Sequence, residues 1–134
     1  MLCDAPSADA PHELSNVIME SSKVGVAKVF EIVSAYRDGP AAQAAYDRAQ
    51  SEARRCQTRS AGFQLLSLAP VAVAGARGFH YRISTPDVVG GDVRTYAQRG
   101  RFTVLLTGYG APPTGQSLLD YQLVLVKAGL ARLP

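Results

Sequence analysis

The sequence predicts an α+β domain: an antiparallel sheet of about five strands with two packed helices, in the order ββαβββα. Three observations carry that expectation. Pro40 to Arg55 repeats small side chains at helical spacing, Phe63 to Thr107 breaks into short apolar runs punctuated by Gly and Pro, and Gln116 to Leu133 returns to helical spacing. Strand and helix do not alternate along the chain, so a parallel sheet is not expected. At 134 residues the chain has room for one compact core and not for two ordinary domains.

From Met1 to His12 the residues are mostly Ala, Pro, Ser and Asp with little periodicity, which reads as an extended arm ahead of a single domain over 13–134. Two strand candidates follow, Glu13 to Ser21 and Val24 to Tyr36, separated by Ser22-Lys23, and a hairpin is their natural connection. Asp38-Gly39-Pro40 then stops the strand and opens a helix, with the proline in the first turn, where its missing N–H does no harm. In that helix Ala42, Ala45, Ala49, Ala53 and Cys56 share one face, and Gln43, Asp47, Arg48, Gln50, Glu52, Arg54 and Arg55 occupy the other. A face of small residues can lie close on a sheet.

After Gly62 the strand candidates are Phe63 to Val73, Gly78 to Ser84, and Thr95 to Thr107 with a break near Arg99-Gly100. The connections read as turns: Ala74 to Gly78, Pro86 to Asp92, and Arg99-Gly100-Arg101, where Gly100 can supply a positive φ. Phe102 to Leu106 is too apolar for a strand wetted on one side, so it should be central and paired on both edges. Beyond the Gly-Pro loop Gly108 to Gly115, Leu118, Leu119, Leu123, Val126, Leu130 and Leu133 keep helical spacing and form a second helix on the core.

Composition narrows the function classes. With 47% hydrophobic and 19% charged residues the chain is globular, and its longest apolar run, Leu65 to Ala76, is interrupted by Ser67, Pro70 and Gly75, so no membrane-spanning helix is expected. Met1-Leu2-Cys3-Asp4 has neither a basic nor an apolar leader region, so the chain reads either as cytosolic or as a form from which an export segment has been removed. The net charge of +3 is unevenly spread: residues 1–53 carry −4, and residues 54–101 carry +6 through eight arginines. A basic face suits anionic lipid, cell-wall polymer or nucleic acid. The plainer reading is preferred, in which the arginines solvate outward strand faces and answer the acidic half, and nucleic acid is not the expected partner.

The chemistry-bearing residues are sparse. Cys3 and Cys56 stand 53 positions apart without CxxC spacing or nearby histidines, a poor zinc or redox motif, which leaves either a disulfide or two free thiols. His12 and His80 are too few for most metal sites, and His80, between Phe79 and Tyr81, reads as a strand residue with a satisfied hydrogen bond and not as a base. There is no GxSxG, GxGxxG or P-loop, and no cofactor is implied. The Arg54-Arg55 pair would favour a Cys56 thiolate, but a helix C-terminus opposes it. Tyr36, Tyr81, Tyr96, Tyr109 and Tyr121 with Arg82 and Arg94 are the side chains that would line a small-ligand cleft, apolar walls with a few polar groups. Tyr81, Arg82, Arg94, Tyr96 and Tyr109 are the candidate binding residues; packing of core and rim explains the same tyrosines.

One resemblance gathers these features. The run Ile32-Val33-Ser34-Ala35-Tyr36-Arg37-Asp38, the alanine-spaced helix ending Ala53-Arg54-Arg55-Cys56, the strand Gly100-Arg101-Phe102-Thr103-Val104-Leu105 and the closing Ala131-Arg132-Leu133 resemble the actinobacterial extracellular sensor-like domains. Such domains lie outside the membrane on a mycobacterial-type Ser/Thr kinase (PknH-like) and occur in many small lipoproteins. The resemblance covers about residues 30–133. It implies an exported, non-enzymatic domain with a cleft for an unidentified small molecule or cell-envelope component, and Cys56 as a disulfide partner with Cys3 its mate. The expected function is therefore an extracytoplasmic ligand-binding or sensor-like domain, with the soluble part of a lipoprotein as one form of it. The alternative is a small cytoplasmic enzyme of the cyclase or isomerase type that encloses an apolar substrate in a curved sheet.

Overall fold

The computed structural model describes residues 12–21, 26–55, 64–73, 75–85, 88–110 and 118–134; for 12–28, 64–66, 83–85, 88–92, 109–110 and 118 within these the side chains lie outside the description. The elements run β1 (His12–Ser21), β2 (Val26–Ala35), α1 (Gly39–Arg55), β3 (Gln64–Val73), β4 (Ala76–Thr85), β5 (Val88–Arg99), β6 (Phe102–Gly110) and α2 (Leu118–Ala131). The class is α+β, as expected, with all strands antiparallel in one sheet of order β1-β2-β6-β5-β4-β3. The run Thr95 to Thr107 divides at Gly100, where φ is +57°, into the last two strands of the meander, which brings the sheet to six. Gly75 turns the β3–β4 hairpin with φ of +70°. Both are conformations that a side chain disfavours.

Part of the segment read as a turn, Pro86 to Asp92, is strand: β5 already begins at Val88, and the ladder to β4 absorbs the Gly90-Gly91 region through a register shift between Ile83 and Thr85. Glycines inside a strand weaken it without ending it when neighbours on both sides hold the ladder. β6 lies between β2 and β5, and Thr103, Val104, Leu105 and Leu106 are buried, the central position its apolar run requires.

The sheet order explains α1. β2 pairs with β6 while β3 forms the far edge, so the connection between them must cross four strand spacings, about 19 Å. A 17-residue helix is roughly 25 Å long, sufficient for that diagonal. Asp38 caps it: its Oδ1 accepts from the Ala41 amide at 2.8 Å, and its carbonyl accepts the first helical bond from Ala42. Ala42, Ala45, Ala49 and Ala53 are buried as the spacing predicts, and Tyr46 joins them.

Strand alternation sorts the core into two layers. On the α1 face Tyr46, Ala49 and Ala53 meet Phe79, Tyr81, Tyr96 and Leu105, with Ile32 and Leu68 at the margin. On the opposite face Val126, Leu130 and Tyr121 of α2 meet Val29, Ala97, Val104 and Leu106. The second helix therefore covers the other side of the sheet, giving three layers with the sheet in the middle. Arg99 fixes the end of α2 by donating to the carbonyl of Leu130, which also accepts from the Leu133 amide at 3.2 Å, and, at 3.3 Å, to that of Leu133. No helix among the described residues is long and apolar enough to cross a membrane.

Candidate functional site

The candidate side chains come from β4, β5 and α1. Cross-strand register places Tyr81 opposite Arg94, Phe79 opposite Tyr96 and Arg77 opposite Gln98, all directed at α1. Phe79 stacks on Tyr81 with centroids 5.7 Å apart, stands 5.7 Å from Tyr96, and meets Tyr46 of the helix edge-on at 5.2 Å. Such pairs contribute about 0.5–1.5 kcal/mol each beyond their buried area. Two arginines bracket this layer. Arg77 covers the Tyr46 ring at 4.3 Å while bridging to Asp47 at 3.0 Å and Gln98 at 3.1 Å. Arg94 lies 6.0 Å from the Tyr81 ring and is only 7% exposed.

Of the five candidate binding residues, the fold thus brings together Tyr81, Arg94 and Tyr96. Arg82 is separated from them: alternation along β4 sends it to the α2 face, where it is exposed. The side chain of Tyr109 lies outside the described residues, as do Cys3 and Cys56 and therefore their pairing.

Electrostatics limits what the tyrosines can do. Burial pushes the Tyr96 phenol far above its ordinary value of 10.0, against a smaller lowering by a hydrogen bond with Thr103. Burial also raises Tyr46, opposed by the charge of Arg77. Phenols held protonated act as apolar walls and hydrogen-bonding groups, not as phenolate bases. Arg94 supplies a permanent cation whose planar fork fits a carboxylate or phosphate. The arrangement is suited to holding an anion or a flat polar group against aromatic rings.

Three buried polar positions on the other face were not singled out by the sequence. Thr95 donates to the Gln122 side-chain carbonyl at 2.7 Å, and the Gln122 amide donates to the Val93 carbonyl at 2.7 Å. Gln122 is fully buried, and its signal was available: it interrupts the apolar stripe between Leu119 and Val126. Glu31 is 2% exposed beneath Gly129, with Arg132 at 3.5 Å from Oε1 and no hydrogen bond to Oε2 among the described residues. His80 lies on β4 as expected, but without the expected hydrogen bond at one ring nitrogen. Its Nδ1 is buried without a hydrogen-bond partner among the described residues, and burial lowers its pKa below 6.5, so the ring is neutral at pH 7.

Among the described residues no three His, Cys, Asp or Glu side chains gather as a metal site. Comparison with protein-family models, with curated proteins and with solved structures found no match to this chain.

Proposed function

We propose that this is a non-enzymatic, sensor-like domain that acts outside the cytoplasm, as a secreted protein or the soluble part of a lipoprotein, and binds a small molecule or cell-envelope component carrying an anionic group. The observation that carries the reading is the Arg94–Tyr81 pair: a buried guanidinium on the α1 face of the sheet, with an aromatic ring beside it. An anion brought beside a buried guanidinium interacts with it strongly, because little water screens the pair.

The direct test is an NMR titration of the full chain with benzoate and with inorganic phosphate, following backbone amides. Shifts centred on Tyr81, Arg94 and Thr107 that vanish in a folded R94Q variant are expected. Shifts spread evenly over surface arginines and unchanged in R94Q would defeat the binding reading. The export reading is tested separately by thiol titration of protein recovered from its native host: an oxidised Cys3–Cys56 pair is expected, and two free thiols per chain would remove its main support. The enzyme alternative predicts instead an apolar molecule enclosed beneath the strands, which native mass spectrometry of the same protein would reveal.

A further inference from the structure

Helix α2 is apolar on more of its circumference than the sheet covers. Of its 14 residues only Asp120 and Lys127 are charged, whereas a helix lying on a sheet ordinarily turns a polar face to water. Its buried side is accounted for by Tyr121, Gln122, Val126, Gly129 and Leu130. On its outer side Val124 is 57% exposed, the one exposed large hydrophobic among the described residues, with Ala128 and Ala131 exposed and Leu123 and Leu125 half-buried along the margins.

The exposed residues are ordered. Asp120, Val124, Lys127 and Ala131 follow one another at intervals of four, three and four, the spacing of a helix-pairing seam. In two antiparallel copies of this helix related by a two-fold axis near Val124, Asp120 of each faces Lys127 of the other, and the two Val124 side chains meet at the centre. Ala128 and Ala131 let the backbones approach. The stripe is thus complementary to itself in charge and polarity, as a two-fold interface requires. An interfacial membrane helix carries instead a lysine- or arginine-rich polar face, which a single Lys and a single Asp on this stripe do not provide.

We infer that the outer face of α2 is a self-association surface, on which a second copy of this chain docks its own α2 antiparallel, with Val124 at the centre and reciprocal Asp120–Lys127 pairs. The proposal is independent of the ligand reading, since α2 and Arg94 lie on opposite faces of the sheet. One helix pair covers less than the about 1,200–2,000 Å² of a stable complex, so association is weak and concentration-dependent.

Sedimentation velocity of the full chain from micromolar to millimolar concentration tests it. A reversible monomer–dimer equilibrium is expected, weakened more than about tenfold in V124E. D120K and K127E should each weaken it roughly three- to tenfold, because each sets like charges across the seam. Mixing those two variants restores the opposite-charge pairs in the heterodimer and should return association to the level of the unmodified chain, an outcome that loss of folding cannot produce. Monomer at every concentration, a dimer indifferent to V124E, no recovery on mixing, or a dimer abolished by reductant would overturn the proposal. Binding of phosphatidylglycerol vesicles through Val124 by a chain that stays monomeric would also overturn it, assigning the face to a membrane.

Discussion

Thr95 of β5 gives its hydroxyl hydrogen to the Gln122 side chain of α2 at 2.7 Å, and both residues are fully buried. Gln122 passes its own amide hydrogen to the Val93 carbonyl, so one glutamine ties the helix to a single strand at two points. Replacing Thr95 by Val leaves the Gln122 carbonyl buried without its donor, which costs about 1–3 kcal/mol. The double variant T95V/Q122L removes both side-chain partners and should lose less than the sum of the two single changes. Chemical denaturation of the four chains gives the coupling directly; additive losses would mean that the bond does not hold α2 in register.

The buried carboxylate of Glu31 is positioned against Gly129, where a Cβ would come within 3.0 Å of Oε2. In an open helix Gly→Ala gains about 1 kcal/mol. Here the gain is opposed by a side chain that is 2% exposed and has little room to retreat. G129A should therefore destabilise the unmodified chain but stabilise an E31A background, a reversal of sign measurable by urea denaturation. Stabilisation of equal size in both backgrounds would show that the carboxylate moves freely aside.

Close approach also sets the identity of Gly78. A Cβ there would lie 2.9 Å from a Val71 methyl and 3.0 Å from the Tyr96 carbonyl. G78A should cost roughly 1–3 kcal/mol, the usual range for overpacking. V71A should recover part of that loss in the double variant, because only one of the two obstacles is a side chain. Full recovery would locate the strain in Val71 alone.

How much of this was legible beforehand follows from the range of each interaction. The alanine spacing of α1, the turn at Gly100 and the central place of Phe102 to Leu106 are local or compositional signals, and the structure carries all three. The assignment of the two helices to opposite faces is not local: it depends on the long-range strand order and on which face each helix packs, which no stretch of sequence announces. The same holds for the site. Tyr81, Arg94 and Tyr96 share a face because β4 and β5 are in register, whereas Arg82, one residue from Tyr81, points the other way by strand alternation alone. Tyr46 belongs to the aromatic layer through tertiary packing alone, since in sequence it is a single aromatic beside the alanines of α1. Glu31 has no local signal: it is an ordinary polar strand residue that only the packing of α2 buries, whereas Gln122 already stands out within an apolar stripe.

Edge protection rests on Pro70. β3 carries no charged residue from Gln64 to Val73 and forms one edge of the sheet, an arrangement open to pairing with another chain. Proline keeps its place in the ladder opposite Phe79 only if its nitrogen faces outward, which interrupts the row of free donors at the middle of the edge. P70T restores that donor with a good strand former. Faster growth of light scattering and of thioflavin T fluorescence on warming is expected, with little change in the denaturation midpoint. Unchanged aggregation kinetics would place the protection elsewhere.

His80 gives the fold a pH dependence of definite sign. Burial lowers its pKa below the ordinary 6.5, so between the folded and unfolded values the unfolded chain binds more protons. The stability associated with a neutral His80 is therefore fully present above about pH 6.5 and declines as pH falls toward the lower, folded value. The half-buried ring lies on the α2 face opposite Thr95 with its Nδ1 buried, so protonation places a charge in partly desolvated surroundings. Denaturation midpoints measured from pH 7.5 to 5 should fall for the unmodified chain and fall less for H80Q, which keeps a polar side chain of similar reach but does not titrate. Equal slopes in the two chains would mean that His80 takes up its proton in the folded state without cost, and that its ring turns to water when charged.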